Sequence, residues 1–303
     1  MALAAVATAC AVLFGALAGA NAAPLKVGTI TDAVWAYASA PKSVAGANDY
    51  SCKPSAAHPR PIVLVHGTAE NMGFNWAALS PMLKNAGYCV FALNYGDNFF
   101  LSLDHRIEGL NAVAGSAKEL QVFIDNVLAK TKTTKVDIVG HSQGGMMPNY
   151  YLKRLGGAAK VGTLVGLAPS NHGTTLSGLT KLGSDLGLLG VANVTLNAAT
   201  PSLVDQEIGS PFQQALFGDG DTVAGPRYVV IETNKDSIVT PYTNAFLSGP
   251  NVKNILIQDQ CPADGTGHIG LAFDGPALQN VMNVLGPNTP NFKPTCTGYG
   301  TGV

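Results

Sequence analysis

Four short apolar runs constrain the fold more than any other feature of the chain. They are Pro61-Ile62-Val63-Leu64-Val65, Tyr88-Cys89-Val90-Phe91-Ala92-Leu93, Val136-Asp137-Ile138-Val139 and residues 161–168. None shows the polar alternation of a strand with one wet face. Runs of this kind belong to strands buried on both faces, which implies a largely parallel sheet. Helical patterns lie between them, at residues 76–86, 110–129 and 144–155. In the second, Leu110, Val113, Ala117, Leu120, Ile124 and Val127 recur three or four apart, the period of an amphipathic helix. Further strands are predicted near residues 228–231 and 254–257, and a last helix near 276–285. Alternating strands and helices predict an α/β fold. Its mostly parallel central sheet should hold about six strands, with right-handed crossovers placing helices on both faces. Residues 24–60 are rich in Ala, Ser and Pro without a strong period, and read as an irregular N-terminal wrap. No linker divides residues 24–303, so one domain is expected.

Composition removes several classes of function. Lys plus Arg number 18 and Asp plus Glu 19, a balance that argues against a nucleic-acid scaffold or a polybasic membrane binder. Residues 1–23 contain no charged side chain. Their Ala-rich apolar run ends in Ala20-Asn21-Ala22, the pattern of a secretory leader and its cleavage site, although no basic residue precedes the run. Export to the extracellular medium is therefore expected. No other run approaches the roughly 20 apolar residues that span a bilayer, so no stable membrane span is expected in the mature form. Cys10 would leave with the leader. Four cysteines remain, Cys52, Cys89, Cys261 and Cys296, an even number that suits two disulfides in an exported chain. Three pairings are possible; Cys52–Cys89 with Cys261–Cys296 encloses the shorter loops and is favoured. No Cys or His spacing suggests a metal site.

The chemistry concentrates at Gly140-His141-Ser142-Gln143-Gly144, a G-x-S-x-G sequence. Alone the pattern is weak, but here a predicted strand ends just before it and a predicted helix begins just after. A strand-to-helix turn this sharp strains the central residue and holds its hydroxyl out at the sheet's edge, and small residues at Gly140 and Gly144 let the chain pass itself. Ser142 is thus the candidate nucleophile. His66-Gly67-Thr68 follows the first buried strand, where a loop can lie beside that turn. The backbone N–H groups of Thr68 and Gln143 are the candidate oxyanion donors, with His66 bracing the loop. In this arrangement the acid and the base follow the nucleophile in that order. Only His172 and His268 come after Ser142. His268 lies beyond the last strand and is favoured as the base. Asp236, in the loop after the fifth strand, is favoured as the acid over Glu232, expected to be still in the strand, and Asp259. His66, His141 and His172 are candidates for lining the site.

Taken together, these stretches resemble the secreted bacterial lipases of the α/β-hydrolase fold known as lipase class 2. The similarity is carried by Ile62 to Thr68, Cys89 to Gly96, Val139 to Gly145, Ala168 to Thr175, Asp236 and His268, and covers roughly residues 55–285. The resemblance implies carboxylic ester hydrolysis, often of triacylglycerols, without a cofactor, by a Ser142–Asp236–His268 triad through an acyl-enzyme. Its expected partners are an ester or lipid substrate and a lipid–water interface, with the enzyme a monomer. A short-chain esterase, a polyester depolymerase or an acyltransferase would use the same triad; a non-catalytic secreted binding protein would not need all of these elements. Residues 174–217 are longer than the corresponding connection of a minimal lipase. Leu176, Leu179, Leu182, Leu186, Leu188 and Leu189 suggest a cap, read either as a packed cover or as a loosely held lid over an acyl-chain groove.

Overall fold

The computed structural model describes residues 23–98, 106–185 and 200–303. The predicted leader, apart from Ala23, lies outside these residues, as do Leu186, Leu188 and Leu189 of the cap. Six strands form one sheet: β1 (Ile62–Val65), β2 (Val90–Leu93), β3 (Val136–His141), β4 (Val161–Leu167), β5 (Arg227–Glu232) and β6 (Val252–Leu256). Their order is β2-β1-β3-β4-β5-β6, and every neighbouring pair is parallel. This is the sheet predicted from the apolar runs.

The helices are α1 (Ile30–Ser39), α2 (Met72–Asn75), α3 (Leu79–Asn85), α4 (Val113–Thr131), α5 (Gln143–Arg154), α6 (Leu176–Asp185), α7 (Pro201–Asp205), α8 (Pro211–Phe217), α9 (Ile257–Gln260) and α10 (Gly275–Leu285). Strand side chains alternate between two cores. Val63, Val65, Phe91 and Ile138 pack with Leu120, Ile124 and Val127 of α4 and Met146, Met147 and Tyr151 of α5. Ile62, Leu64, Val90, Val139 and Ile231 pack with Leu79 and Leu83 of α3 and Leu278 and Val281 of α10. Each fully buried aliphatic side chain stabilises by about 1.5–3 kcal/mol. With helices on both faces, the loops at the C-terminal ends of the strands are left to carry the site.

Three expectations need correction. The helix expected over residues 76–86 is the shorter α3, preceded by the separate short helix α2. Pro81 lacks an N–H, which a helix tolerates in its first turn, and it sits in the first turn of α3. The strand expected to end at Val139 runs on to His141, so the nucleophile turn begins without a connecting residue. The N-terminal wrap is not wholly irregular, because α1 occupies ten of its residues. Its start is a capping box: Asp32 N donates to Thr29 Oγ1 at 3.3 Å, and Thr29 N donates to Asp32 Oδ2 at 2.8 Å. The apolar period was hidden because Val34 and Trp35, with Thr31 and Ala38, face outward while Ala33 is buried.

The wrap also closes one edge of the sheet. Asn48 N donates to Val90 O at 2.9 Å, and the Asn48 side chain both accepts from Ala92 N (3.0 Å) and donates to Ala92 O (2.8 Å). Two disulfides form, Cys52–Cys89 and Cys261–Cys296, with Cα separations of 5.7 and 5.5 Å. These are the two predicted pairs. The first fastens the wrap to the start of β2, the second ties the segment after β6 to residue 296.

Candidate active site

Strand β3 delivers Ser142 to the edge of the sheet. The backbone there has φ 55° and ψ −126°, a strained conformation for any residue with a side chain. Ser142 N extends the sheet ladder by donating to Leu167 O at 2.9 Å, and α5 starts at the next residue. Close approach explains the flanking glycines. A Cβ on Gly140 would be driven into the Gly144 carbonyl, and one on Gly144 into the carbonyls of Val65 and His66. Gln143 is the first residue of α5, so its N–H is one of the donors that a helix start leaves unpaired.

Thr68 follows β1 and meets Gln143 through side chains as well. Thr68 Oγ1 donates to Gln143 Oε1 at 2.7 Å. A residue missed in the sequence joins them: Gln206 Nε2 donates to Thr68 Oγ1 and to Gln143 Oε1, each at 2.9 Å, and Ser170 Oγ donates to Gln206 Oε1 at 2.8 Å. Gln206 directly follows α7, inside the stretch read as a cap. Thr174 N donates to Gln206 O and Ile208 N to Thr174 O, so this part of the stretch is stitched to the loop after β4. Leu203 and Leu216 are buried. Residues 200–217 therefore form a packed wall beside Thr68 and Gln143. In α6, Leu179 and Leu182 are buried with Phe74, Ile238 and Ile269.

The two remaining predicted residues come together across the loops after β5 and β6. His268 Nδ1 and Asp236 Oδ2 are 2.6 Å apart and fully buried as side chains. Asp236 Oδ1 accepts the N–H groups of Ile238 (2.7 Å) and Val239 (2.8 Å), so both carboxylate oxygens are held. Thr233 Oγ1 donates to Thr266 O at 2.7 Å and links the two loops directly. His268 Nε2 is buried and meets no hydrogen-bonding partner among the described residues. With Nδ1 engaged by a carboxylate, the ring leaves Nε2 as the nitrogen that can take and return a proton.

The competing acids are placed differently. Asp259 is exposed on α9. Glu232 is the last residue of β5 and fully buried; burial, and then the nearby Asp236 carboxylate, push its carboxyl well above the usual range. Burial thus disfavours its charged form, which makes it a poorer anionic orienting group than Asp236. The lining histidines separate likewise. His66 is buried, stacks on Tyr95 at 4.4 Å, and meets Gly67 O through Nδ1 at 2.8 Å. Burial lowers its pKa to about 4, so it braces the loop as a neutral ring. His141 is buried among Glu70, Asn75 and the His268 carbonyl. His172, read as a site-lining residue and as the alternative base, lies instead beside Asp221 Oδ2 (3.4 Å) and Phe217, and is partly exposed. None of its contacts is with Ser142, Asp236 or His268. Among the described residues no group of three or more His, Cys, Asp or Glu could hold a metal.

The family model of class 2 lipases matches residues 59–268, from just before β1 to His268 itself. The chain belongs to the class 2 lipase family. Sequence relatives include a triacylglycerol lipase of Burkholderia plantarii, 33% identical over 128 residues, which are 38% of this chain and 33% of that protein. Another is a triacylglycerol lipase of Pseudarthrobacter phenanthrenivorans, 34% identical over 95 residues, or 30% of this chain and 27% of the relative. The matched stretches thus span a third or less of these relatives' lengths. Among solved structures, Aspergillus fumigatus lipase B aligns with a TM-score of 0.60 at 23% identity, covering 84% of this chain and 63% of that one. A mature Bacillus licheniformis lipase aligns at 0.56 and 16% identity, over 77% and 94% of the two chains. At these identities the structural likeness speaks for the α/β-hydrolase fold of this class 2 lipase family member.

Proposed function

We propose that the protein hydrolyses carboxylic esters of long-chain acids, triacylglycerols among them, by acyl transfer through Ser142. The observation that carries this reading is the buried His268–Asp236 pair at 2.6 Å, whose imidazole keeps Nε2 unpartnered, on loops beside a strained serine turn. Ser142 Oγ attacks the ester carbonyl as His268 Nε2 takes its proton. Asp236 holds the tautomer and stabilises the imidazolium. The N–H groups of Thr68 and Gln143 receive the developing oxyanion, each donor being worth about 2.7–4 kcal/mol where one has been removed elsewhere. The alcohol leaves with the proton from His268, and a water attacks the acyl-enzyme by the same relay.

Long-chain substrates are favoured by the surroundings. Phe74, Leu179, Leu182, Ile238 and Ile269 form one apolar cluster around the residues next to Asp236 and His268. On α1, the outward face of Thr31, Val34, Trp35 and Ala38 carries no charge, and Trp35 is 73% exposed. A groove of about 380 Å³ between α1 and Ile269 is lined almost wholly by apolar side chains. An uncharged outward helix face beside such a groove suits contact with an aggregated lipid surface. Residues 200–217 are pinned through Gln206 and act as a fixed wall. Two disulfides fit an exported protein.

The test combines a p-nitrophenyl ester series, acetyl to palmitoyl, with an organophosphonate probe. The expected result is kcat/KM rising to at least octanoyl, a further rise above the substrate's solubility limit, and one phosphonyl mass on Ser142. A preference for acetyl esters without a response to emulsified substrate would leave a short-chain esterase; labelling at another serine would end the Ser142 mechanism.

A further inference from the structure

The acyl-transfer mechanism leaves one buried charged pair without a task. His141 immediately precedes Ser142 and is fully buried, as is Glu70 after the Thr68 loop. Both ring nitrogens of His141 face acceptors. Nε2 is 3.0 Å from the carbonyl oxygen of His268, and Nδ1 is 3.2 Å from Glu70 Oε2. A carbonyl oxygen can only accept, so Nε2 carries a hydrogen. Glu70 Oε2 also accepts the Gly67 N–H at 3.0 Å, and with Glu70 as a carboxylate Nδ1 is the donor that carries the second hydrogen. A neutral imidazole has a single N–H, and two are needed here. The Asn75 side chain completes the picture. Its amide lies 3.1 Å from Nδ1, and with the oxygen on that side it accepts an Nδ1–H.

The neighbours of this pair come from every element packed around it. His66 lies near Glu70 but is neutral, since burial depresses its pKa. The His268 ring is centred 5.0 Å from the His141 ring, with Asp236 beyond it. Burial alone would lower the pKa of His141, but the Glu70 carboxylate overrides it and raises the pKa. Burial would likewise raise Glu70, and His141 overrides it downward. The two partners thus agree on the charged form.

We propose that the Glu70–His141 ion pair is a positioning device that clamps the Thr68 loop, the Ser142 turn and the His268 loop to one another. The link runs from Gly67 N–H through Glu70 and His141 to the backbone of the base itself. Ala69, with φ 59°, makes the turn that brings Glu70 back onto Gly67. Neither residue touches the reacting atoms; the pair fixes the height of His268 and of the Thr68 amide relative to Ser142. This inference rests on the acyl-transfer reading and refines it.

The test has two arms on the intact protein. Ring-¹⁵N histidine NMR of the wild type should show two N–H signals for His141 at pH 6.5, with its midpoint above that of an ordinary imidazole. A single N–H signal at that pH would overturn the proposal without any variant. In the second arm, His141→Phe keeps the volume and removes both donors, and should lower kcat at least 10-fold with KM within twofold. The rate of phosphonate labelling at Ser142 should fall in parallel. His141→Gln, which restores a donor toward the His268 carbonyl, should recover most of that loss. A merely structural role would lower the melting temperature and leave kcat and the labelling rate unchanged well below it; that outcome refutes the clamp while the Ser142 reading stands. If the wild type itself is not labelled at Ser142, the acyl-transfer reading fails first.

Discussion

Replacing Glu232 by Gln should stabilise the protein, and more so as the pH rises. Glu232 is fully buried at the end of β5, Thr233 N donates to its Oε1 at 2.8 Å, and its Oε2 has no hydrogen-bonding partner among the described residues. Burial and the adjacent Asp236 carboxylate raise its pKa well above the ordinary value of 4.5. The native state therefore holds a proton that the unfolded chain releases above pH 4.5. Stability from this group is complete below that value and declines as pH climbs toward the native pKa. The slope is about 1.4 kcal/mol per pH unit in that window, because one proton separates the two states. Gln has nearly the same shape and cannot ionise in either state. The stability difference between Glu232→Gln and wild type should thus be constant below pH 4.5 and grow by that slope above it. Urea midpoints at half-unit steps from pH 4 to 9 measure this, and subtracting the variant cancels every other titrating group. A pH-independent difference would refute the reasoning and mean that Glu232 is ionised in the fold. Turnover should stay within about threefold of wild type, since a neutral amide stands in for a neutral acid.

Asp236→Asn should lower kcat by about 10⁴ with little change in KM, as loss of the orienting carboxylate does in other triads, measured on a soluble ester. Gln206→Leu removes the donor shared by Thr68 and Gln143; kcat should fall about 10-fold and stability by about 1–3 kcal/mol, read by steady-state kinetics and urea melts. Converting Cys261 and Cys296 together to Ser opens a loop of 35 residues, which loop-entropy arithmetic values at about 4 kcal/mol. Calorimetry should show a lower thermal midpoint, and the His268 loop should lose activity before the sheet melts by circular dichroism. Trp35→Ser should leave hydrolysis of dissolved ester unchanged and reduce hydrolysis of emulsified triacylglycerol several-fold; equal loss on both would remove α1 from the lipid-facing surface.

Residues whose environment is set by neighbours in sequence were readable without a structure. The β strands announced themselves because burial on both faces demands apolar side chains at every position. The Ser142 turn was legible because it needs Gly140 and Gly144 locally, and the pairing of Asp236 with His268 because chain order leaves few candidates. What escaped depends on partners far along the chain. Gln206 meets Thr68 across 138 positions, and no local pattern marks a glutamine for such a task. Glu70 and His141 are 71 positions apart, and their meeting depends on how two loops fold onto the sheet edge. His172 misled for the converse reason: it follows a strand as a base could, yet the chain turns it to Asp221. Helix α1 was a different failure, since Thr29-Ile30-Thr31-Asp32 carries a capping box that a search for inward-facing apolar residues passes over.

The Asn48 contacts with β2 bear on how the protein fares when crowded. An open strand edge is a template on which a second chain can add itself, and the first such addition seeds larger assemblies. Here the positions of β2 that would recruit a stranger are already taken by Asn48, and Cys52–Cys89 holds that cover within reach. Reduction would let the cover drift away with most of the core intact. Folded molecules would then present a row of unsatisfied amides to one another, so oxidising conditions also guard this protein against self-association.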